Sequence, residues 1–148
     1  EKYGDDPLAP VRYAPDTLFA TVMFSSPLAW FEVSSLPESY FEQAAPLIQT
    51  WKQEREAIFS GDIIPIGKRP DGVVWTGFAS VAKDRRSARI LIFRELNDRQ
   101  KWTTEIPLLE ADGAKVTILG GEGDAGLANG ELHVAIGEKL GYLFLKVE

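Results

Sequence analysis

Cysteine is absent from this chain, and histidine occurs once, as His133. Disulfides, catalytic thiols and thiolate sites for zinc or iron–sulfur clusters are therefore excluded, and the usual histidine-rich metal sites are excluded with them. The sequence predicts no cofactor and no metal centre. Because cysteine-free chains occur on either side of a membrane, this absence leaves the redox compartment open.

Positive charge is scarce, since 16 Lys and Arg oppose 22 Asp and Glu and the net charge is −6. Such a chain lacks the basic surface with which proteins neutralise nucleic-acid phosphates. No apolar run approaches the roughly 20 residues of a membrane span, because the longest, residues 18–24, has the length of a strand. We therefore expect neither nucleic acid nor a membrane as a partner.

The composition that is present is that of a globular protein, with 45% hydrophobic and 26% charged residues over 148 positions. This length fits one domain with a single core. The chain begins at Glu1 with neither a Met nor the basic and apolar regions of a signal peptide. We therefore expect residue 1 to lie inside a longer polypeptide.

Residues 1–72 predict an extended lead-in, one buried strand and one long helix. Residues 17–24 are almost continuously apolar or β-favouring and stop at Ser25-Ser26-Pro27, as in a strand buried on both faces. Ser35 and Glu38 form a capping box for a helix over residues 36–59.

Two residues modify this predicted helix. Pro46 removes an amide donor and should kink the helix or break it into two, whereas Gly61 suits a left-handed cap. An apolar stripe with helical spacing should pack on a sheet face or on a second copy of the chain. It comprises Phe41, Ala44, Ile48, Trp51 and Ile58, interrupted by Arg55.

Residues 73–148 predict an antiparallel β-sandwich of six short strands. The turns between them leave no room for crossover helices, so strands that are neighbours in sequence should pair. Strand 87–95 is apolar on both faces and should be central, while strand 102–109 should be half exposed. The predicted strands are 73–82, 87–95, 102–109, 115–119, 131–136 and 141–147. The predicted fold class is therefore mainly β, an antiparallel β-sandwich preceded by a strand and a long helix.

Residues 121–126 match the G-x-G-x-x-G pattern of dinucleotide-binding loops and follow a strand. Another strand follows them where that motif needs a helix, and Glu122 and Asp124 would repel phosphate. We interpret residues 120–126 as a flexible hairpin loop. Calcium coordination by Glu122 and Asp124 is a second interpretation, although two carboxylates do not make a site.

His133 lies on the polar face of its strand, so we interpret it as a solvated surface residue. No G-x-S-x-G elbow accompanies it, and the sequence therefore predicts no Ser-His-Asp site and no other catalytic residue. Trp51 and Trp102 occupy apolar faces that predict core positions, and Trp75 fits either face. Trp30 and Glu32 follow the predicted strand, where βα-loops place ligand groups, so they are the carbohydrate-binding candidates, with packing as the competing interpretation.

Several segments together resemble the end of melibiase-like glycoside hydrolases, the α-galactosidases and their relatives. They are YAPDTLFATVMFSSPLAWFE at 13–32, LPE at 36–38, WKQER at 51–55, IFSGDIIPIG at 58–67 and WTGF at 75–78. The resemblance implies that residues 1–72 hold the last βα unit of a (β/α)8 barrel and that residues 73–148 form the β-sandwich that follows it. No position matches the motifs of the family's catalytic carboxylates, and 148 residues cannot hold a barrel of roughly 250.

The resemblance implies a non-catalytic C-terminal accessory domain of an extracellular or periplasmic glycoside hydrolase. Its partner would be the catalytic barrel of the parent chain, and it would have no hydrolase activity alone. The alternative is an autonomous carbohydrate-binding module with an oligosaccharide partner, suggested by a sandwich that carries four tryptophans. A homodimer through the helix stripe and a small independent enzyme that uses Trp30 and Glu32 are further hypotheses.

Overall fold

A computed structural model describes residues 5–27, 37–111 and 113–148. It contains a five-stranded and a three-stranded antiparallel sheet, one short helix and one long helix, which confirms the predicted mainly β fold. The helices are α1 (Pro15–Ala20) and α2 (Glu38–Ser60), and a 3₁₀ turn spans Pro10–Arg12. The strands are β1 (Asp62–Gly67), β2 (Trp75–Val81), β3 (Ala88–Arg94), β4 (Lys101–Glu105), β5 (Val116–Gly121), β6 (Asp124–Ala128), β7 (Glu131–Ala135) and β8 (Gly141–Val147).

These elements form three layers, with the five-stranded sheet in the middle. Its order is β1-β2-β3-β8-β5, and the other sheet has the order β4-β7-β6. Ile90 and Ile92 of β3 join the core between the two sheets, whereas Leu91 joins the core beneath the helices. Since β3 is buried on both faces, it occupies the centre of its sheet, as its apolar pattern predicts.

The expectation that neighbouring strands pair is wrong for most of the sandwich. β3 pairs with β8, and β4 pairs with β7. β8 is apolar on both faces and needs a central position, which it finds between β3 and β5. The loop after β3 leads into the other sheet, because a connection of this length can span the core as well as turn a hairpin.

The predicted strand at residues 17–24 is also wrong. Residues up to Ala20 belong to α1, and turns follow as far as Ser25. A doubly buried strand needs pairing partners on both sides, and no strand of the described sheets lies beside this segment. Helix formation satisfies the backbone internally instead, with Pro15 at a position where a helix tolerates proline, and it buries Ala20 and Met23 beneath the helices.

Helix α2 runs unbroken through Pro46, so the predicted break into two helices is not found. Ser35, the predicted cap, lies outside the described residues. Gly61 ends the helix in an extended rather than a left-handed conformation, because the chain continues directly into β1. A Cβ at Gly61 would lie 2.3 Å from the Ser80 hydroxyl oxygen, so close packing explains the glycine. The strand β1 itself was not predicted.

The predicted packing of the helix on a sheet face is confirmed. Ile58 is buried and Trp51 half-buried against Leu91 and Phe144 of the five-stranded sheet. The composition of the predicted stripe needs correction at two positions. Leu47 is buried although it lies outside the stripe, whereas Phe41 is exposed.

The glycine motif is a corner between the two sheets, not a flexible hairpin loop. Gly121 ends β5 in one sheet and Asp124 begins β6 in the other, so Glu122 and Gly123 alone make the connection. Gly121 has φ of 82° and Gly123 has φ of 156°, conformations that L side chains rarely adopt. We call residues 121–123 the β5–β6 corner.

Candidate functional site

The sequence candidates for carbohydrate binding, Trp30 and Glu32, both lie outside the described residues. His133 is exposed on the outer face of the three-stranded sheet, as predicted, with its Nδ1 3.0 Å from the Thr103 hydroxyl oxygen. Glu122 and Asp124 are exposed near the corner. Within the described parts of the chain, no three Asp, Glu or His side chains come together as metal ligands would.

The three described tryptophans serve packing. Trp75 is buried and stacks on Trp102 with ring centroids 5.7 Å apart, and both belong to the core between the sheets. The Trp51 ring meets Phe19 edge-on, and its indole nitrogen donates to the Met23 carbonyl at 2.7 Å. The predicted core positions of Trp51 and Trp102 are confirmed, since both are half-buried and pack against the two core clusters.

A groove of about 670 Å³ lies between α1, the β5–β6 corner and the loop that precedes β8. At its floor the Tyr142 hydroxyl donates to the Asp16 carboxylate at 3.0 Å. Burial, then the charge of Asp16 and the hydrogen bond to it, raise the pKa of Tyr142 far above its usual range. The phenol therefore stays neutral and fixes α1 to β8. Since the hydroxyl and the carboxylate satisfy one another, the pair has a structural role.

A second cavity, of about 240 Å³, lies between α1 and the helix-facing side of the five-stranded sheet. We call it the aromatic pocket. Its walls include Tyr13 just after the 3₁₀ turn, Thr76 and Phe78 from β2, Phe93 from β3 and Glu95 just beyond β3. Thr76 lies opposite Phe93 in the strand register, so both side chains project on the same face.

The aromatic pocket has no signature in the sequence. Its lining residues come from four separate segments, within 13–21, 70–78, 93–95 and 140–141, and no local pattern marks them as neighbours. Alternation placed Phe93 on a face of its strand, but Tyr13 falls in the segment expected to be an extended lead-in. Only the folding of α1 onto the sheet brings Tyr13 to β2 and β3.

The exposed side of α2 carries an apolar row. Phe41 and Phe59 are 40% and 47% exposed, and Ile48 between them is half-buried. At 3.6 residues per turn, positions 41, 48 and 59 lie along one side of the helix, flanking the buried side. Arg55 lies beside them, with its guanidinium 5.6 Å from the Trp51 ring centre. We call Phe41, Ile48 and Phe59 the α2 row.

The outer face of the three-stranded sheet is polar instead. Cross-strand register places Thr103, His133 and Gly126 in one row, and Lys101, Ala135 and Asp124 in the next. A shallow groove of about 360 Å³ runs over these residues. His133 carries the one aromatic ring among these six residues, and Trp102, which also lines the groove, stacks on Trp75 and packs against the core.

No family model, no curated protein and no solved structure matches this chain. Among the described residues, none of the helices combines the length and the apolar character needed to cross a bilayer.

Proposed function

We propose that this chain is a non-catalytic accessory domain of a carbohydrate-active enzyme of the α-galactosidase type, and that its partner is the catalytic barrel of the same polypeptide. The observation that carries the proposal is the α2 row, which places the exposed Phe41 and Phe59 and the half-buried Ile48 along one side of the longest helix. Exposed apolar patches mark contacts with other proteins or domains, and domains joined in one chain meet through interfaces that combine apolar and polar residues.

The sequence resemblance supports the choice of partner. Two of the segments that resemble the melibiase-like enzymes, at 51–55 and 58–67, fall on the second half of α2 and on β1. The α2 row passes through the same part of the helix and ends at Phe59. Arg55 and Lys52, both exposed beside the row, would complement an acidic surface on the barrel.

The test begins with the reading frame that encodes this chain. The proposal requires a (β/α)8 barrel in the same polypeptide, and a reading frame without one would overturn it. In that polypeptide, Phe41→Lys with Phe59→Lys should lower the melting temperature of the barrel and leave the fold of this domain intact. Val73→Lys is the matched control, since Val73 is 51% exposed in a loop remote from α2 in sequence.

The isolated chain provides a second test. It should not hydrolyse nitrophenyl α-galactosides. Hydrolysis that disappeared when one of the chain's own carboxylates was replaced would contradict a non-catalytic role. Sedimentation of the chain alone distinguishes the homodimer hypothesis, because a dimer dissociated by Phe59→Lys would assign the α2 row to a second copy instead of a barrel.

A further inference from the structure

The aromatic pocket combines apolar walls with a polar rim. Phe78 and Phe93 contribute ring surface from adjacent strands, and Tyr13, which directly follows the 3₁₀ turn, lines the same cavity. Phe24 stacks on Phe78 with ring centroids 6.4 Å apart and holds that side chain from outside. Aromatic side chains held in this way present a preformed surface to a ligand.

Three polar atoms at this pocket have no partner among the described residues. Glu95 is anchored through one oxygen, which accepts from the backbone amides of Gly72 at 2.7 Å and Val74 at 3.3 Å. Its other oxygen, the Tyr13 hydroxyl and the Thr76 hydroxyl make no hydrogen bond in the described part of the chain. The site therefore offers one charged acceptor and two hydroxyl groups that can donate or accept.

The pKa of Tyr13 shows that its hydroxyl is partly buried and lies near the Glu95 carboxylate. Burial, followed by the negative charges of Glu95 and Asp6, raises the pKa of the Tyr13 hydroxyl. A tyrosine hydroxyl is protonated at neutral pH, so it can donate a hydrogen bond, and the upward shift extends that range. A donor and a carboxylate acceptor thus lie at the same cavity, beside apolar rings.

We propose that the aromatic pocket binds a single hexopyranose ring. A pyranose has an apolar face of C–H groups, which fits Phe78 and Phe93, and a rim of hydroxyl groups, which fits Glu95, Tyr13 and Thr76. A purely apolar ligand would leave these polar atoms unsatisfied, at a cost in affinity. The volume of about 240 Å³ is below the roughly 300–1,000 Å³ of pockets for drug-sized ligands, which favours one ring over an oligosaccharide.

This inference rests on the chemistry of the pocket, and the proposed function supplies only its setting. The two fail separately. Variants in the α2 row report on association with a barrel, whereas variants in the aromatic pocket report on sugar binding. Failure of the sugar-binding test would leave the accessory-domain proposal unaffected, and the reverse also holds.

The experiment titrates the chain with methyl α- and β-glycosides of galactose, glucose and mannose, followed by amide chemical shifts in ¹H–¹⁵N spectra. At least one glycoside should give saturable shifts centred on Thr76, Phe93 and Glu95. Tyr13→Phe and Thr76→Val should each weaken binding roughly 3- to 10-fold, and Glu95→Gln about 10- to 100-fold.

Matched controls carry the same chemical changes outside the pocket. Tyr40→Phe, Thr103→Val and Glu105→Gln alter residues that do not line it, and each should leave binding unchanged. No saturable shift at tens of millimolar for any glycoside would overturn the proposal. Equal losses from pocket and control variants would also overturn it, as would binding of benzyl alcohol at this site in preference to every glycoside.

Discussion

Arg94 is a charged side chain in the interior, 3% exposed, and its guanidinium donates to main-chain carbonyls. It reaches Asn97 at 2.9 Å and Ile136 at 2.9 Å, with further bonds to Gly137 and Asp98. These carbonyls belong to the loops that follow β3 and β7, and each of these loops connects one sheet to the other. One side chain therefore holds two of the connections between the sheets in place.

Replacing this guanidinium should be costly. Arg94→Met removes the donors and leaves buried carbonyls unpaired, so we expect a loss of about 2–4 kcal/mol in the free energy of unfolding. Urea denaturation measures the loss directly. Arg99→Met is the control, because Arg99 is exposed in the same loop and the change should cost under about 0.5 kcal/mol. Equal costs at both positions would contradict this account of Arg94.

Tyr142 predicts a decline of stability in alkali. Its pKa is raised above the ordinary value of 10.0, first by burial and then by Asp16. Above about pH 10 the unfolded chain releases this proton and the folded chain keeps it, so stability should fall by up to about 1.4 kcal/mol per pH unit. Denaturation between about pH 9 and pH 11 should show a shallower decline for Tyr142→Phe. An unchanged slope would mean that Tyr142 ionises normally in the folded protein.

At the scale of helices and strands, α2 is held to the middle sheet by an ion pair as well as by apolar contacts. Glu54 of α2 and Arg89 of β3 meet at 2.5 Å, with side chains 18% and 12% exposed. The pair between Lys83 and Asp62 is a natural comparison, because its side chains are 69% and 51% exposed. Because the first pair is more buried, its interaction energy should be larger than that of the second.

Double-mutant cycles measure that separation. Glu54→Gln combined with Arg89→Met should give a coupling of about 1–3 kcal/mol, since the pair is mostly shielded from water. Asp62→Asn combined with Lys83→Met should give less than about 1 kcal/mol and should weaken further in salt. Coupling near zero between Glu54 and Arg89 would show that this pair does not help to hold α2.

The elements that alternation predicts well are those with one polar and one apolar face, or with two apolar faces and turns on both sides. β3, β7 and β8 belong to this group. β1 was not predicted because Pro65 interrupts it, although an edge strand tolerates proline. Residues 17–24 were wrongly predicted as a strand because nothing interrupts their apolar pattern. A continuous apolar run of this length fits a buried helix as well as a buried strand.

The sequence carries less information about the candidate site than about the strands. The strand that lies on the second side of β3 is the one that gains most from a central position in the sheet. The residue pattern of any single strand does not show which strand that is. The aromatic pocket depends on that outcome and on the fold of α1, so Tyr13 and Glu95 could not be brought together from sequence. By contrast, the surface position of His133 followed from local alternation.

At the scale of the whole molecule, the β5–β6 corner is the shortest of the connections that join the two sheets. A Cβ at Gly121 would lie 2.0 Å from the Tyr142 carbonyl oxygen, and one at Gly123 would lie 2.1 Å from that of Ala135. Gly126, the third glycine of the motif, has no atom within 4 Å of such a Cβ. The motif therefore divides into two required glycines and one replaceable glycine.

Alanine substitutions at these three glycines should differ in sign. Gly121→Ala and Gly123→Ala should each destabilise the protein by more than about 2 kcal/mol, because backbone strain and a clash coincide. Gly126→Ala should be neutral or should stabilise by up to about 1 kcal/mol, since a strand interior favours Ala over Gly. Thermal or urea unfolding of the three variants measures these changes in stability. A large loss from Gly126→Ala would refute this explanation of the motif.

The position of β8 between β3 and β5 also governs how the protein is made. During synthesis β3 leaves the ribosome long before β8, and β5 pairs only with β8 among the described strands. The central hydrogen-bonded ladders thus cannot close until residue 147 is available. Until then the apolar edges of β3 and β5 are open to other chains, and such distant pairing is slow. Slow translation before β8 should therefore increase the time at risk of aggregation, and chaperones that cover exposed strands should improve the yield.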